Sequence, residues 1–248
     1  MNTQRCDYID ERSDDCVSVP ALSEELASAL PDIQSDIVAA SKDSEKFSRL
    51  LEAVLTIDVV GDSRSIQFIG MHDRKASSLA RQFALYASSH YPAPVCFVDM
   101  ASTEGLSGLV INSDQDSSTA VTKQLSVSDS EQIYRLSDTS LYMSSGGISP
   151  SSTKLGESSK HFEAFKKRAE GQYPLMIVDA PPLSHSIEGV LLSSRVDGVV
   201  LVLEAERSRR RQVRDVSKRV ANAGGRVIGA VLTERKRYLP SFLSYWLD

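Results

Sequence analysis

Leu175-Met-Ile-Val-Asp-Ala-Pro-Pro182 is the stretch whose reading decides the fold. Four apolar residues run together without alternation, the pattern of a strand buried on both faces, as in a parallel sheet. Asp179 closes the run, and Pro181 and Pro182 cannot continue a ladder of backbone hydrogen bonds. Asp197-Gly-Val-Val-Leu-Val-Leu203 follows with the same character. Open α/β sheets bind ligands beyond the carboxyl ends of their strands, which makes Asp179 a candidate site residue. An ordinary buried strand ending in an acid at a turn would read the same way.

Outward from this stretch the chain alternates helix and strand. Phe47, Leu50, Leu51, Val54 and Leu55 recur at helical spacing within Lys42–Leu55, ahead of a first strand at Ile66–Gly70. A helix is expected over Ser77–Ser89, then a second acid-terminated strand, Val95–Asp99. Gly105 to Asp138 is Ser/Asp-rich and weakly patterned, with one or two short helices expected. Ser140–Met143 reads as a minor strand and Ser158–Glu170 as an amphipathic helix leading into the 175–179 strand. Val199–Leu203, a helix at Ser208–Ala223 and a last strand at Arg226–Thr233 complete the series. This alternation predicts a doubly wound α/β fold, with a mostly parallel sheet and helices on both faces.

Charge divides the chain. The first 45 residues hold eleven acids against Arg5, Arg12 and Lys42, although the whole chain is only −5. Residues 1–40 are therefore expected to be a flexible acidic tail, with a short helix at Ser23–Leu30, and residues 41–248 the α/β domain. No apolar run approaches the roughly 20 residues that span a bilayer, and the first residues carry no signal-peptide core. A cytoplasmic protein is expected. Cys6, Cys16 and Cys96 offer no paired framework, and Cys96 lies within a strand pattern as a small core residue. His72, His90, His161 and His185 share no ligand spacing.

The chemistry should lie after the first strand. Phosphate-binding loops of the form G-x-x-x-x-G-K-[ST] use glycines to wrap backbone amides round phosphates and a lysine to neutralise their charge. Here the stretch is Gly70-Met-His-Asp-Arg-Lys-Ala-Ser-Ser78. Counting from Gly70, Lys75 takes the second glycine's place, Ala76 the lysine's, and Ser77 that of the Mg²⁺-binding hydroxyl. A left-handed turn position costs a residue with a Cβ roughly 1–2 kcal/mol, and Ala76 supplies no charge. The plain alternative is a strand-to-helix turn capped by Ser77.

At these residues the chain resembles the bacterial tyrosine autokinases of exopolysaccharide and capsule biosynthesis, within the MinD/ParA-like P-loop ATPases. The resemblance rests on Tyr173–Pro182, Val196–Val202, the Arg-rich helix Arg207–Val220 and Gly224–Leu232, and covers roughly residues 45–248. It implies a degenerate phosphate-binding position at Gly70, Lys75, Ser77 and Ser78. It also implies a vestigial Mg²⁺ set of Ser77, Asp99 and Asp179, with Asp99 and Asp179 the surviving catalytic acids. The departures are specific. Ala101 stands where the family has a second acid, and Ser48 and Leu51 stand where its ring-contact motif has arginines, leaving Glu45 and an offset Arg49. Tyr238 and Tyr245 are isolated rather than clustered, so Tyr238, Phe242, Tyr245 and Trp246 read better as a docking surface.

Arg207, Arg209, Arg210, Arg211, Arg214, Lys218 and Arg219 invite a nucleic-acid reading. Val213, Val216 and Val220 form an apolar stripe opposite them, so these residues are the solvated face of a helix. An acidic protein or an anionic membrane surface is favoured over nucleic acid. The resemblance then implies a non-catalytic, pseudokinase-like cytoplasmic component of polysaccharide biosynthesis and export. It would dock on a membrane chain-length regulator (a polysaccharide copolymerase) and so lie peripherally at the inner membrane, with a homo-oligomer left open. No cofactor is expected; ATP and Mg²⁺ enter only if the site is active. The alternatives are an active ATP-dependent tyrosine autokinase and a MinD/ParA-like positioning ATPase.

Overall fold

The computed structural model describes residues 44–59, 63–72, 75–101, 121–128, 131–136, 139–145, 155–169, 171–205 and 207–233. In chain order these form α1 (Ser44–Leu55), β1 (Arg64–Gly70), α2 (Lys75–His90), β2 (Val95–Asp99), β3 (Val121–Ser128), β4 (Glu131–Leu136) and β5 (Leu141–Ser144). They continue with α3 (Glu157–Ala169), β6 (Leu175–Asp179), the short α4 (Glu188–Leu192), β7 (Gly198–Glu204), α5 (Arg210–Asn222) and β8 (Val227–Thr233). The acidic stretch 1–40, its expected helix at Ser23–Leu30 and the aromatic ending from Tyr238 onward lie outside the described residues.

One eight-stranded sheet runs in the order β3-β4-β5-β2-β6-β1-β7-β8. From β5 to β8 neighbouring strands are parallel, while β4 joins β5, and β3 joins β4, antiparallel. The doubly wound reading holds, and β6 lies at the centre, between β2 and β1.

The unalternating runs are explained by burial on both faces. In β6, Leu175 and Ile177 join the cluster beneath α1 and α2, with Phe68, Phe83 and Val200. Met176 and Val178 point the other way, into the cluster formed by Phe162 and Phe165 of α3, Leu192 of α4 and Val216 and Val220 of α5. Within the first cluster Phe83 stacks at a tilt on both Phe47 and Phe68, with centroids 6.0 and 5.4 Å away. Cys96 is fully buried in β2, as expected of a core residue, and burial pushes its thiol well above the usual range.

At the amino ends of the strands, Asp197 ties β7 to β1 and α3. Its Oδ2 accepts from the Ser65 amide at 2.7 Å, the Ser65 hydroxyl at 2.6 Å and Lys166 Nζ at 3.0 Å. Lys166 also donates to Ser65 Oγ at 2.8 Å.

Two sequence expectations are corrected. Part of the Ser/Asp-rich region before Asp138 forms the hairpin β3–β4, where short helices were expected. β4 completes the sheet edge by pairing Ile133, Tyr134 and Arg135 with Ser144, Met143 and Tyr142. That pairing buries Ile133, Tyr134 and Leu136, so a tertiary contact overrides a weak local pattern. The second correction concerns Ser77. Helix α2 opens at Lys75, which places Ser77 inside the first turn and not at the cap.

Candidate functional site

Three parallel strands end side by side, β2 at Asp99, β6 at Asp179 and β1 at Gly70. The chain leaving β6 is pinned across β1: the Ala180 amide donates to Phe68 O at 3.1 Å and the Leu183 amide to Gly70 O at 3.0 Å. Gly189, at the start of α4, permits this course. A Cβ there would stand 2.8 Å from Pro181 O and 2.6 Å from Ile69 Cδ1. Gln67, buried in β1, donates to Gly189 O at 2.7 Å and fixes the same turn.

Asp179 is 1% exposed, and its Oδ1 has no hydrogen-bond partner. Ser77, in the first turn of α2, donates a hydrogen bond to its carboxylate. Asp99 is its register partner on β2. Burial pushes the Asp179 carboxyl up to about 8, the negative charge of Asp99 adds to the rise, and the Ser77 hydrogen bond and the positive charge of Arg81 oppose it. Asp99 turns one oxygen to the chain after β2, accepting from the Ala101 amide at 3.0 Å. Ala101 thus contributes a backbone donor to this turn.

The residues counted along the phosphate-loop pattern diverge in space. Ser77 faces Asp179. Lys75 and Ser78 instead line a groove of about 440 Å³ between α1, α2 and the end of β8, together with Lys46, Phe47, Leu50, Leu79, Gln82 and Val231–Thr233. Gly70 ends β1, and its carbonyl holds Leu183. Ala76 is 3% exposed, packed in the core beneath α2. Arg81 was missed in the sequence, although it stands four residues after Ser77, on the same side of a helix. Among the described residues no three His, Cys, Asp or Glu side chains cluster as a metal centre.

No family model matches the chain. In sequence it is 24% identical over 204 residues to CapB of Staphylococcus aureus, a protein assigned to the tyrosine-protein kinases. That alignment covers 77% of this chain and 84% of CapB. CpsD of Streptococcus agalactiae, a tyrosine-protein kinase, is 24% identical over 101 residues, covering 41% of this chain and 44% of CpsD. The chain is related in sequence to bacterial tyrosine-protein kinases.

Solved structures agree on the fold. The chimerical protein CapA2B2 superposes with a TM-score of 0.58 at 17% identity, covering 82% of this chain and 91% of that one. The kinase domain of VpsO gives 0.57 at 18% identity, covering 83% and 98%. Against this kinase fold, the oxygen set at the strand ends suits a hard cation: the Ser77 hydroxyl, Asp99 and the partnerless oxygen of Asp179 would hold Mg²⁺. Mg²⁺ held there would supply charge neutralisation to phosphate oxygens, with Asp179 holding it as the carboxylate. The phosphate side fits poorly, because position 76 offers a buried methyl group in place of an ammonium.

Proposed function

We propose that this chain is a kinase-fold protein without kinase activity that serves exopolysaccharide, capsule or adhesive-polysaccharide biosynthesis and export, docked on a membrane chain-length regulator. One observation carries the non-catalytic part. Helix α2 delivers Ser77 to Asp179 yet buries Ala76, the position that counting from Gly70 gives to the lysine. Phosphoryl transfer is chiefly positioning and charge neutralisation, so loss of that cation removes much of what such a site does. The pathway assignment draws on the kinship with CapB and CpsD.

A ligand that binds only the folded state at a hundredfold excess over its Kd stabilises it by about 2.7 kcal/mol. Millimolar Mg-ATP is expected to leave the melting temperature unchanged and to produce no phosphotyrosine. A rise of several degrees that vanishes in Asp179→Ala would show that the turn binds nucleotide, and phosphotyrosine would overturn the non-catalytic assignment. The retained Ser77, Asp99 and Asp179 favour an active tyrosine autokinase as the second reading, and phosphotyrosine formed with Mg-ATP would establish it. The pathway is tested separately, by deleting the gene and staining surface polysaccharide: loss of the polymer is expected, and an unchanged surface refutes the assignment.

A further inference from the structure

The two helical layers of this sheet differ in charge. On one face, α1 carries Lys46 and Arg49 against Glu45 and Glu52, and α2 adds only Lys75, in the groove beside α1, and Arg81, which acts on the buried Asp179. On the other face α3, α4 and α5 pack side by side. There α3 holds four basic residues against two acids, of which Lys166 is engaged by the mostly buried Asp197, and α5 holds five against one. The acids of this layer are partly engaged: Glu163 meets Arg195 at 2.9 Å and Lys167 at 3.8 Å, and the Glu188 carboxylate accepts from the Gly156 amide. Arg210, Arg211, Arg214 and Lys218 stand exposed along α5 and make no ion pair with any described residue. Val216 and Val220, on the opposite side of the helix, anchor it to the sheet.

A second, independent feature lies on the same layer. Leu155 and Ile187 are 71% and 53% exposed, two of three large apolar side chains so placed among the described residues. Leu155 precedes α3 and Ile187 precedes α4, and the bond from Gly156 to Glu188 draws the two turns together at one rim. A broad basic surface edged by exposed aliphatic side chains is the composition of an interfacial membrane-binding face.

We propose that the α3–α4–α5 layer docks directly on an anionic lipid bilayer. The lipid headgroups would neutralise the α5 arginines while Leu155 and Ile187 enter the headgroup boundary. Nucleic acid would use the charge but leave both aliphatic side chains in water. A protein partner would anchor on exposed aromatic side chains as well as on arginines, and this layer exposes arginines with aliphatic side chains but no Phe, Tyr or Trp among the described residues. Because anionic lipids diffuse laterally, they can gather beneath side chains whose spacing is set by the helices. This contact requires neither nucleotide nor a protein partner, so it stands or falls apart from the proposed function.

The test is co-sedimentation of the full chain with phosphatidylcholine vesicles and with vesicles containing about 30% phosphatidylglycerol, at roughly 0.05 and 0.3 M salt. Binding is expected on the anionic vesicles only, weakening with salt. Arg211→Glu/Arg214→Glu/Lys218→Glu should lower it at least about tenfold, and the corresponding Gln set by an intermediate amount. Leu155→Ser/Ile187→Ser should lower it about threefold or more without changing the salt dependence. Melting curves establish that each variant is folded, and the Gln set decides the matter if the Glu set is not. Equal binding to both vesicle types, no binding at all, unchanged binding by both charge variants, or preferential capture by a DNA duplex would each overturn the proposal.

Discussion

Asp99 and Asp179 are register partners at the carboxyl ends of adjacent parallel strands, so the sheet brings two carboxyl groups to one place and buries one of them. Asp179 gains a hydroxyl partner from Ser77 and the influence of the Arg81 cation, yet its carboxyl still rises to about 8. Desolvation and like charge therefore outweigh both compensations, and near neutral pH the proton is retained.

This raised carboxyl has a pH signature. In the unfolded chain Asp179 titrates near its ordinary 3.8, whereas the folded protein holds the proton to about 8. The unfolded state binds fewer protons across that window, so this group's contribution to stability is full below about pH 4, falls as pH rises, and is gone above about 8. Asp179→Asn should flatten the dependence and exceed the wild type at pH 8 by more than about 1.4 kcal/mol, the equivalent of one pKa unit. Urea titrations from pH 5 to 8 measure it, and parallel wild-type and variant curves contradict it.

Restoring the phosphate loop should be insufficient. Lys75→Gly with Ala76→Lys returns the inner glycine and the lysine, but it places a long cationic side chain where a buried methyl group now packs. The double variant is expected to lose roughly 1–3 kcal/mol of stability. It should bind Mg-ATP weakly at best and form no phosphotyrosine, since Ala101 still leaves one acid absent. Calorimetric titration and anti-phosphotyrosine blotting check this; robust autophosphorylation would show that those two positions alone silence the site.

Gly189→Ala tests how the strand end is held. The new methyl group would meet the carbonyl of Pro181, a backbone atom that cannot rotate away, and the side chain of Ile69. Overpacking of this kind costs roughly 1–3 kcal/mol. Because the Pro181 turn follows Asp179 directly, the variant should also alter the pH dependence of stability. Wild-type stability in denaturant melts would mean that the turn relaxes freely.

Asp197→Ala removes the acceptor shared by Ser65 and Lys166 at the opposite end of the sheet. Both side chains of the Lys166–Asp197 pair are mostly buried, at 22% and 18% exposure, so solvent screens the loss only partly. A destabilisation of about 2–4 kcal/mol is expected. Lys166→Met in the Asp197→Ala background should recover part of it, because the orphaned ammonium is then gone. Thermal melts of the two variants decide, and the absence of any recovery would show that the Ser65 bonds dominate.

The architecture was largely legible because its cause is local. Leu175–Val178 and Gly198–Leu203 contain no polar residue, the pattern of a strand buried on both faces, where a polar side chain such as Gln67 of β1 persists only with a hydrogen-bond partner. The helices α1, α2, α3 and α5 likewise show their buried faces at helical spacing. The hairpin β3–β4 was not legible, because its weakly patterned strands are held by pairing, β3 with β4 and β4 with the sheet strand β5. The short α4 was missed for a related reason, since five residues carry too little periodicity to read.

By itself the sequence determined the doubly wound sheet and the carboxyl-end placement of Asp99 and Asp179, since both follow from uninterrupted apolar runs that stop at an acid. That position 76 carries an alanine and no cation is likewise a matter of residue identity. The tertiary structure alone decided that Ser77 turns to Asp179 while Lys75 and Ser78 turn to a separate groove. Successive residues of a helix point about 100° apart, and only the packed position of that helix determines what each one meets. The charge of the α3–α4–α5 layer is of the same kind: helices separated by a strand become one surface only when the sheet sets them side by side.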